Sequence, residues 1–183
     1  MEKGYSNTIF VFWGPTACGK STILKELQKI KPEAIVLDIV KYYEPYKNSQ
    51  RVITQNNKLK AIEDLYRDVN TECNTFFLEL GLANHDLHLQ KLNYFSSHKI
   101  VHLFFNLDKN VCCKRAKQRN QRKDRDFIPI TNFWKRMEIA YPDPHIYKAD
   151  ELGHQYHTIE LDDKPVRALM PLVIEIVNNY FEK

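Results

Sequence analysis

The 183-residue chain lacks any run of the roughly 18–20 apolar residues that a membrane-spanning helix requires. Its first residues, Met1-Glu2-Lys3-Gly4-Tyr5-Ser6, carry no signal-peptide core, because the apolar run behind them is short. Cys18, Cys73, Cys112 and Cys113 show no C-x-x-C spacing, and adjacent cysteines rarely bridge. The expectation is a reduced, cytoplasmic chain with no membrane partner, no disulfide framework and no structural metal. Neither an H-E-x-x-H pattern nor a Cys/His set accompanies the seven histidines. His85 and His88 are three apart on a predicted helix, and His98 and His102 flank a predicted strand. All are read as surface or core histidines. There is no internal repeat, low-complexity segment or dividing linker. The length suits one domain, 1–183, present as a monomer or homodimer.

The net charge of +4 is not spread evenly. Residues 114–125 hold seven basic side chains (Lys114, Arg115, Lys117, Arg119, Arg122, Lys123, Arg125) against Asp124, a local +6 that leaves −2 for the rest. A basic surface for general nucleic-acid binding is therefore not indicated; one basic segment is.

What is present is a phosphate-binding motif. Gly14-Pro15-Thr16-Ala17-Cys18-Gly19-Lys20-Ser21-Thr22 reads G-x-x-x-x-G-K-S. An apolar strand, Thr8-Ile9-Phe10-Val11-Phe12-Trp13, precedes it. An amphipathic helix follows, with Ile23, Leu24, Leu27 and Ile30 on one face. Gly14 and Gly19 let the backbone curl so that successive N–H groups point at phosphate oxygens. The helix N-terminus adds partial positive charge. In such a motif Lys20 reaches the β- and γ-phosphates, and the Ser21 hydroxyl binds Mg²⁺. Cys18 sits inside this anion-binding loop, where a thiolate is stabilised, and is expected to react with oxidants or alkylators.

Along the chain, apolar strands alternate with amphipathic helices. The helix over 20–30 ends before Pro32. A short strand, Ala34-Ile35-Val36-Leu37, runs into Asp38. Tyr42, Tyr43, Pro45 and Tyr46 form an aromatic stretch expected to line a cleft. A helix over about 54–72 carries Leu59, Ile62, Leu65, Tyr66 and Val69. The strand Thr75-Phe76-Phe77-Leu78 ends at Glu79. A helix over 85–97 and the strand Ile100–Phe105 follow. Asp108 caps the basic helix, and Ile130-Thr131 start another, with Phe133, Trp134, Met137 and Tyr141. A strand over 156–161 precedes a final helix. Pro165 opens that helix, Val166, Leu169, Val173, Ile176, Val177 and Tyr180 form its apolar face, and Pro171 is expected to kink it. This alternation predicts an α/β fold of about five parallel strands wrapped by helices; with the phosphate-binding motif it resembles the P-loop NTPase three-layer fold.

Ligands of open α/β sheets lie beyond the carboxyl ends of the strands, which puts Asp38 and Glu79 on the rim of the phosphate loop. Asp38 is a candidate general base or orienting group for a substrate hydroxyl, or else a turn or cap aspartate. Glu79 is a candidate metal-shell carboxylate, substrate contact or turn residue. Arg115 and Arg119 are four apart, and Arg122 three further on, so one helical face presents three guanidinium groups. They read as an arginine-bearing lid over phosphates at about 109–130, or as a solvated basic face.

Together, Gly14–Thr22, Asp38, Glu79 and Arg115/Arg119/Arg122 resemble the small P-loop kinases. That superfamily includes shikimate and gluconate kinases, chloramphenicol phosphotransferase, zeta-type toxins, deoxynucleoside kinases and the kinase domain of polynucleotide kinase. The resemblance implies ATP as donor, Mg²⁺, and transfer of the γ-phosphate to a small acceptor, with an acid after the second strand contacting the acceptor hydroxyl. The run Val111–Arg119 with Ile128-Pro129-Ile130-Thr131 is similar to the lid of deoxynucleoside kinases, which points to a nucleoside or nucleotide acceptor. Those kinases carry Glu-Arg-Ser where this chain has Glu79-Leu80-Gly81. The run Arg119-Asn120-Gln121-Arg122 through Tyr141-Pro142-Asp143-Pro144 is similar to polynucleotide-kinase-like enzymes. That similarity makes a polynucleotide 5′-hydroxyl or tRNA acceptor the alternative. Leu161–Val166 looks like the loop that touches adenine in these kinases. A slow nucleotide-hydrolysing switch is the reading from outside the kinases.

Overall fold

The computed structural model describes residues 7–50, 52–69, 74–81, 84–121, 148–161 and 165–181. Strand β1 (Thr8–Trp13) is buried at every position, as expected of an unbroken apolar run covered on both faces. It is the centre of a sheet containing β2 (Ile35–Asp38), β3 (Phe76–Glu79), β4 (Lys99–Asn106) and β5 (Gln155–Glu160). The order is β2-β3-β1-β4-β5, and every pairing is parallel. The five-stranded parallel sheet expected from the alternation is therefore present, in a P-loop NTPase α/β fold. The edge strands β2 and β5 are the partly exposed ones.

Side chains alternate across β1 and divide the core in two. Phe10 and Phe12 face Phe77, Phe105, Tyr180 and Phe181, with ring centroids 5.5–6.0 Å apart. The helices on this side are α1 (Lys20–Ile30) and α6 (Met170–Phe181). Trp13 faces the other way, toward His85 and His88 of α4 (His85–Leu92). Tyr66 of α3 (Gln55–Asp68) reaches the same histidine, His88. Helices α2 (Ile39–Tyr43) and α5 (Lys109–Asn120) stand at the carboxyl end of the sheet, directly after β2 and β4.

Local chemistry accounts for the helix starts. Thr54 accepts from the Asn57 N–H at the head of α3. Asp108 accepts from the Asn110 and Val111 N–H groups at the head of α5, satisfying donors that an α-helix leaves unpaired.

Several expectations need correction. Ile30 and Leu59 are exposed; each sits one step outside the stripe its neighbours bury. The helix expected over 85–97 is α4, which stops at Leu92. The expected C-terminal helix is a 3-10 turn, Val166–Leu169, followed by α6. Pro171 is thus the second residue of α6. It needs no N–H there and starts the helix instead of kinking it. Residues 122–147 and 162–164, which include Arg122, Ile130-Thr131, Trp134 and half of the expected adenine loop, lie outside the described residues.

Candidate active site

The loop after β1 has the backbone its sequence requires. Gly14 has φ 148° and Gly19 φ 107°, values that disfavour any residue with a Cβ. A Cβ on Gly14 would lie 2.9 Å from the Phe105 backbone oxygen, and one on Gly19 would lie 2.5 Å from Val166 Cγ2. The second contact was not legible in the motif: the segment after β5 presses on the phosphate loop. Ala17 also takes a left-handed conformation, φ 68°, at a cost of about 1–2 kcal/mol for a residue with a Cβ.

Lys20 is buried although charged. Its Nζ donates to Gly14 O at 2.8 Å and Pro15 O at 3.1 Å, and lies 3.6 Å from Cys18 Sγ. The loop's own carbonyls thus hold the ammonium in place. Cys18 is fully buried, which corrects the expectation of a reactive thiol, since oxidants and alkylators need access as well as thiolate. Cys112, on α5, is near enough to feel Cys18; burial is the main reason its thiol is pushed up to about 12.

Register brings the two rim carboxylates together. Asp38 is the direct partner of Glu79 across β2 and β3, and Glu79 is the partner of Phe12 across β1. Adjacent parallel strands are about 4.8 Å apart, so Asp38, Glu79 and the root of the phosphate loop form a row. Ser21 Oγ donates to Glu79 Oε1 at 2.9 Å, a bond spanning 58 residues of sequence. Burial raises the Glu79 pKa; Lys20, the Ser21 bond and Arg119 counter this, and Asp38 adds to it.

Asp38 takes the cap role considered for it. Its Oδ1 accepts from the Val40 N–H at 2.9 Å and caps α2. A carboxylate has a second oxygen, and here the cap fixes its direction while leaving it available.

On α5, Arg115 and Arg119 are half-buried, whereas Lys114 and Lys117 are exposed. The helix therefore turns its arginine face inward, and Arg119 is near enough to Glu79 to act on its charge. Arg122 lies outside the described residues. Two of the tyrosines bond α3: Tyr42 donates to Asp68 Oδ2 at 2.5 Å, and Tyr46 donates to Asp64. These bonds fasten α2 and its 3-10 extension onto α3.

Residue spacing did not disclose the cluster behind the loop. The Trp13 indole N–H donates to His102 Nδ1 at 2.8 Å, and His102 Nε2 lies 2.9 Å from His154 Nδ1. His85 and His88 close over the indole. Among the described residues, no group of three or more His, Cys, Asp or Glu is arranged to hold a metal ion.

The fold is that of the small P-loop kinases. Solved structures that share it include a gluconokinase from Sinorhizobium meliloti 1021, at 13% identity over 98% of this chain and 99% of that one, TM-score 0.63. A shikimate kinase from Acinetobacter baumannii in complex with shikimate matches at 12% identity over 98% and 97%, TM-score 0.63. A putative kinase from Chloroflexus aurantiacus matches at 12% over 96% and 98%, TM-score 0.64. No protein-family model and no curated protein matches the sequence.

Proposed function

We propose that this protein is an ATP-dependent phosphotransferase that moves the γ-phosphate of ATP to a hydroxyl of a small acceptor, of nucleoside or nucleotide type. The observation that carries the reading is the row formed by Asp38, Glu79 and Ser21 beside the phosphate loop. Phosphoryl transfer asks a protein for positioning and charge neutralisation, and these residue types provide both.

The loop Gly14–Thr22 would hold the triphosphate through its backbone N–H groups and Lys20. Ser21 and Glu79 offer two adjacent hard oxygens, a donor set that fits Mg²⁺, a cation that keeps several waters and takes few protein ligands. The metal, when bound, would neutralise charge on the phosphates. Glu79 fits the role electrostatically, because a carboxylate that burial makes costly to ionise gains from a neighbouring cation. Asp38, held by its cap, would orient the acceptor hydroxyl and take its proton. Arg119, with Arg115, would close over the phosphates, and Arg122 is proposed with them. The whole chain is read as one kinase domain. The names of the structural neighbours, gluconokinase and shikimate kinase, support a small acceptor.

The test is transfer from labelled ATP to a panel of nucleosides, sugar acids, shikimate-like acids and 5′-hydroxyl oligonucleotides. A phosphorylated small molecule is expected. Product only on oligonucleotides, with an acceptor KM that rises steeply with salt, would replace the reading with a polynucleotide kinase. Nucleotide-dependent partner binding without any product would replace it with a switch. In the active assay, Asp38→Asn is expected to lower turnover about a hundredfold or more, the scale of a lost general base. Asparagine keeps an oxygen for the Val40 N–H, so the fold is retained. Unchanged turnover would remove Asp38 from the mechanism.

A further inference from the structure

We infer that His102 and His154 are positioning residues for the phosphate-binding loop, acting through Trp13. The inference rests on the reading of that loop as a triphosphate site. Trp13 is the last residue of β1 and directly precedes Gly14. Gly14 has no slack: its carbonyl accepts from Lys20, and a Cβ there would lie 2.9 Å from Phe105 and 3.1 Å from Cys18 Sγ. Any shift of the Trp13 side chain is therefore passed to the root of the loop.

The hydrogen bonds behind Trp13 have one direction. An indole N–H donates and never accepts. His102 Nδ1, 2.8 Å away, must therefore be bare, and the His102 proton sits on Nε2. That N–H points at His154 Nδ1 at 2.9 Å, so His154 in turn carries its proton on Nε2. The rings lie edge to edge and nearly coplanar along the same line, with interplanar angles of 20° and 22° and centroids 6.0 Å apart for Trp13 and His102 and 5.1 Å apart for His102 and His154. Each imidazole is thus locked in one tautomer. A second proton on His154 sets two N–H groups against each other, and a second proton on His102 sets its Nδ1–H against the indole N–H. No rearrangement of protons keeps both bonds.

Among the described residues, the titratable groups facing the chain are His85 and His88 of α4, both buried. Asp86 lies 3.7 Å from His85 Nδ1 and is also paired with Lys148 at 2.5 Å, and Tyr66 of α3 bonds His88. Burial pushes the His102 imidazole well below its ordinary range and lowers that of His154. His154 is half-buried, and its backbone N–H donates to Ala149 O. It is the end of the chain that protons reach. A core position that only needed filling would be served by an apolar ring, with no requirement for a directional line of donors.

Trp13 itself reports the test. In a Trp134→Phe background it is the one remaining tryptophan of two, and imidazolium quenches indole emission. Nucleotide-free emission and the Kd for ATP with Mg²⁺, the latter also by calorimetry, are read from about pH 8 down to the lowest pH at which the fold holds, because burial keeps His154 below the ordinary histidine range. His154→Asn keeps an acceptor for the His102 N–H and does not titrate. Acid is expected to quench Trp13 and to weaken ATP binding at least about threefold more in the parent than in His154→Asn. Titration of the nucleotide's own phosphate is common to both proteins and cancels. His102→Phe leaves the indole donor without an acceptor and is expected to raise Kd about tenfold at about pH 8, the scale of one buried donor left unpaired. If His102→Phe does not fold, the His154→Asn comparison decides alone. Equal acid dependence of Kd in the parent and His154→Asn overturns the inference. A parent that binds no ATP overturns the triphosphate reading and this inference with it. Its emission titration still shows whether the histidine chain exists, so the two failures are told apart.

Discussion

Glu79 is held where its charge is expensive. Burial raises its pKa, and the Ser21 hydroxyl, Lys20 and Arg119 recover only part of the cost. A carboxyl whose folded pKa is raised destabilises the fold above the ordinary carboxylate range, and the penalty vanishes as pH falls below it. Glu79→Gln is therefore expected to raise the thermal midpoint of the nucleotide-free protein near neutral pH, with a gain that shrinks on acidification. The same change is expected to lower turnover about tenfold or more through loss of charge at the proposed Mg²⁺ site. A midpoint that falls instead would show that the Ser21 bond, and not burial, dominates. Gly19 is a second residue with a separable cost. Gly19→Ala meets both a left-handed φ of 107° and the Val166 side chain at 2.5 Å. Adding Val166→Ala should recover the overlap but leave about 1–2 kcal/mol of backbone strain, measurable as non-additivity in denaturant unfolding. The motif foretold the glycines, because its spacing encodes the curl. It was silent on Val166, 147 positions away along the chain.

At the scale of elements, α5 depends on its cap. Asp108 satisfies two N–H groups at the head of the helix that carries Arg115 and Arg119. Asp108→Ala is expected to cost about 1 kcal/mol, read from denaturant unfolding. It should also raise KM for ATP more than it changes KM for the acceptor, because the arginine face moves with the helix. The cap and the i, i+4 arginine spacing were legible, since both are local. The fate of Tyr42 and Tyr46 was not, because aromatic residues after a strand read alike whether they face a ligand or another helix. Their partners, Asp68 and Asp64, are supplied by α3 more than a dozen residues later.

At the scale of the molecule, the buried imidazoles set an acid limit. His88 is pushed down to about 4 by burial, and His102 lies well below its ordinary range. A histidine with a depressed folded pKa contributes stability that is fully present above the unfolded value of about 6.5 and is lost as pH falls toward the folded one. For His88 alone the full loss is about 3 kcal/mol. Thermal midpoints are expected to fall between about pH 6.5 and about pH 4. His88→Gln should flatten that fall; an unchanged slope would place the acid sensitivity elsewhere.

What the sequence determined by itself was local or periodic. The phosphate loop follows from the fixed spacing of two glycines, a lysine and a serine. The parallel sheet follows from unbroken apolar strands alternating with helices, which can be buried only by covering both faces. The rim position of Asp38 and Glu79 follows from their place at strand ends. Tertiary structure decided which ends are neighbours. The order β2-β3-β1-β4-β5 inserts β3 between β1 and β2. That insertion makes Asp38 and Glu79 partners and puts Glu79 against Ser21, while the pairing of β1 with β4 sets His102, and His154 beyond it, behind Trp13. Strand order is settled by how whole helices pack over the sheet, and no single stretch of the chain carries that information.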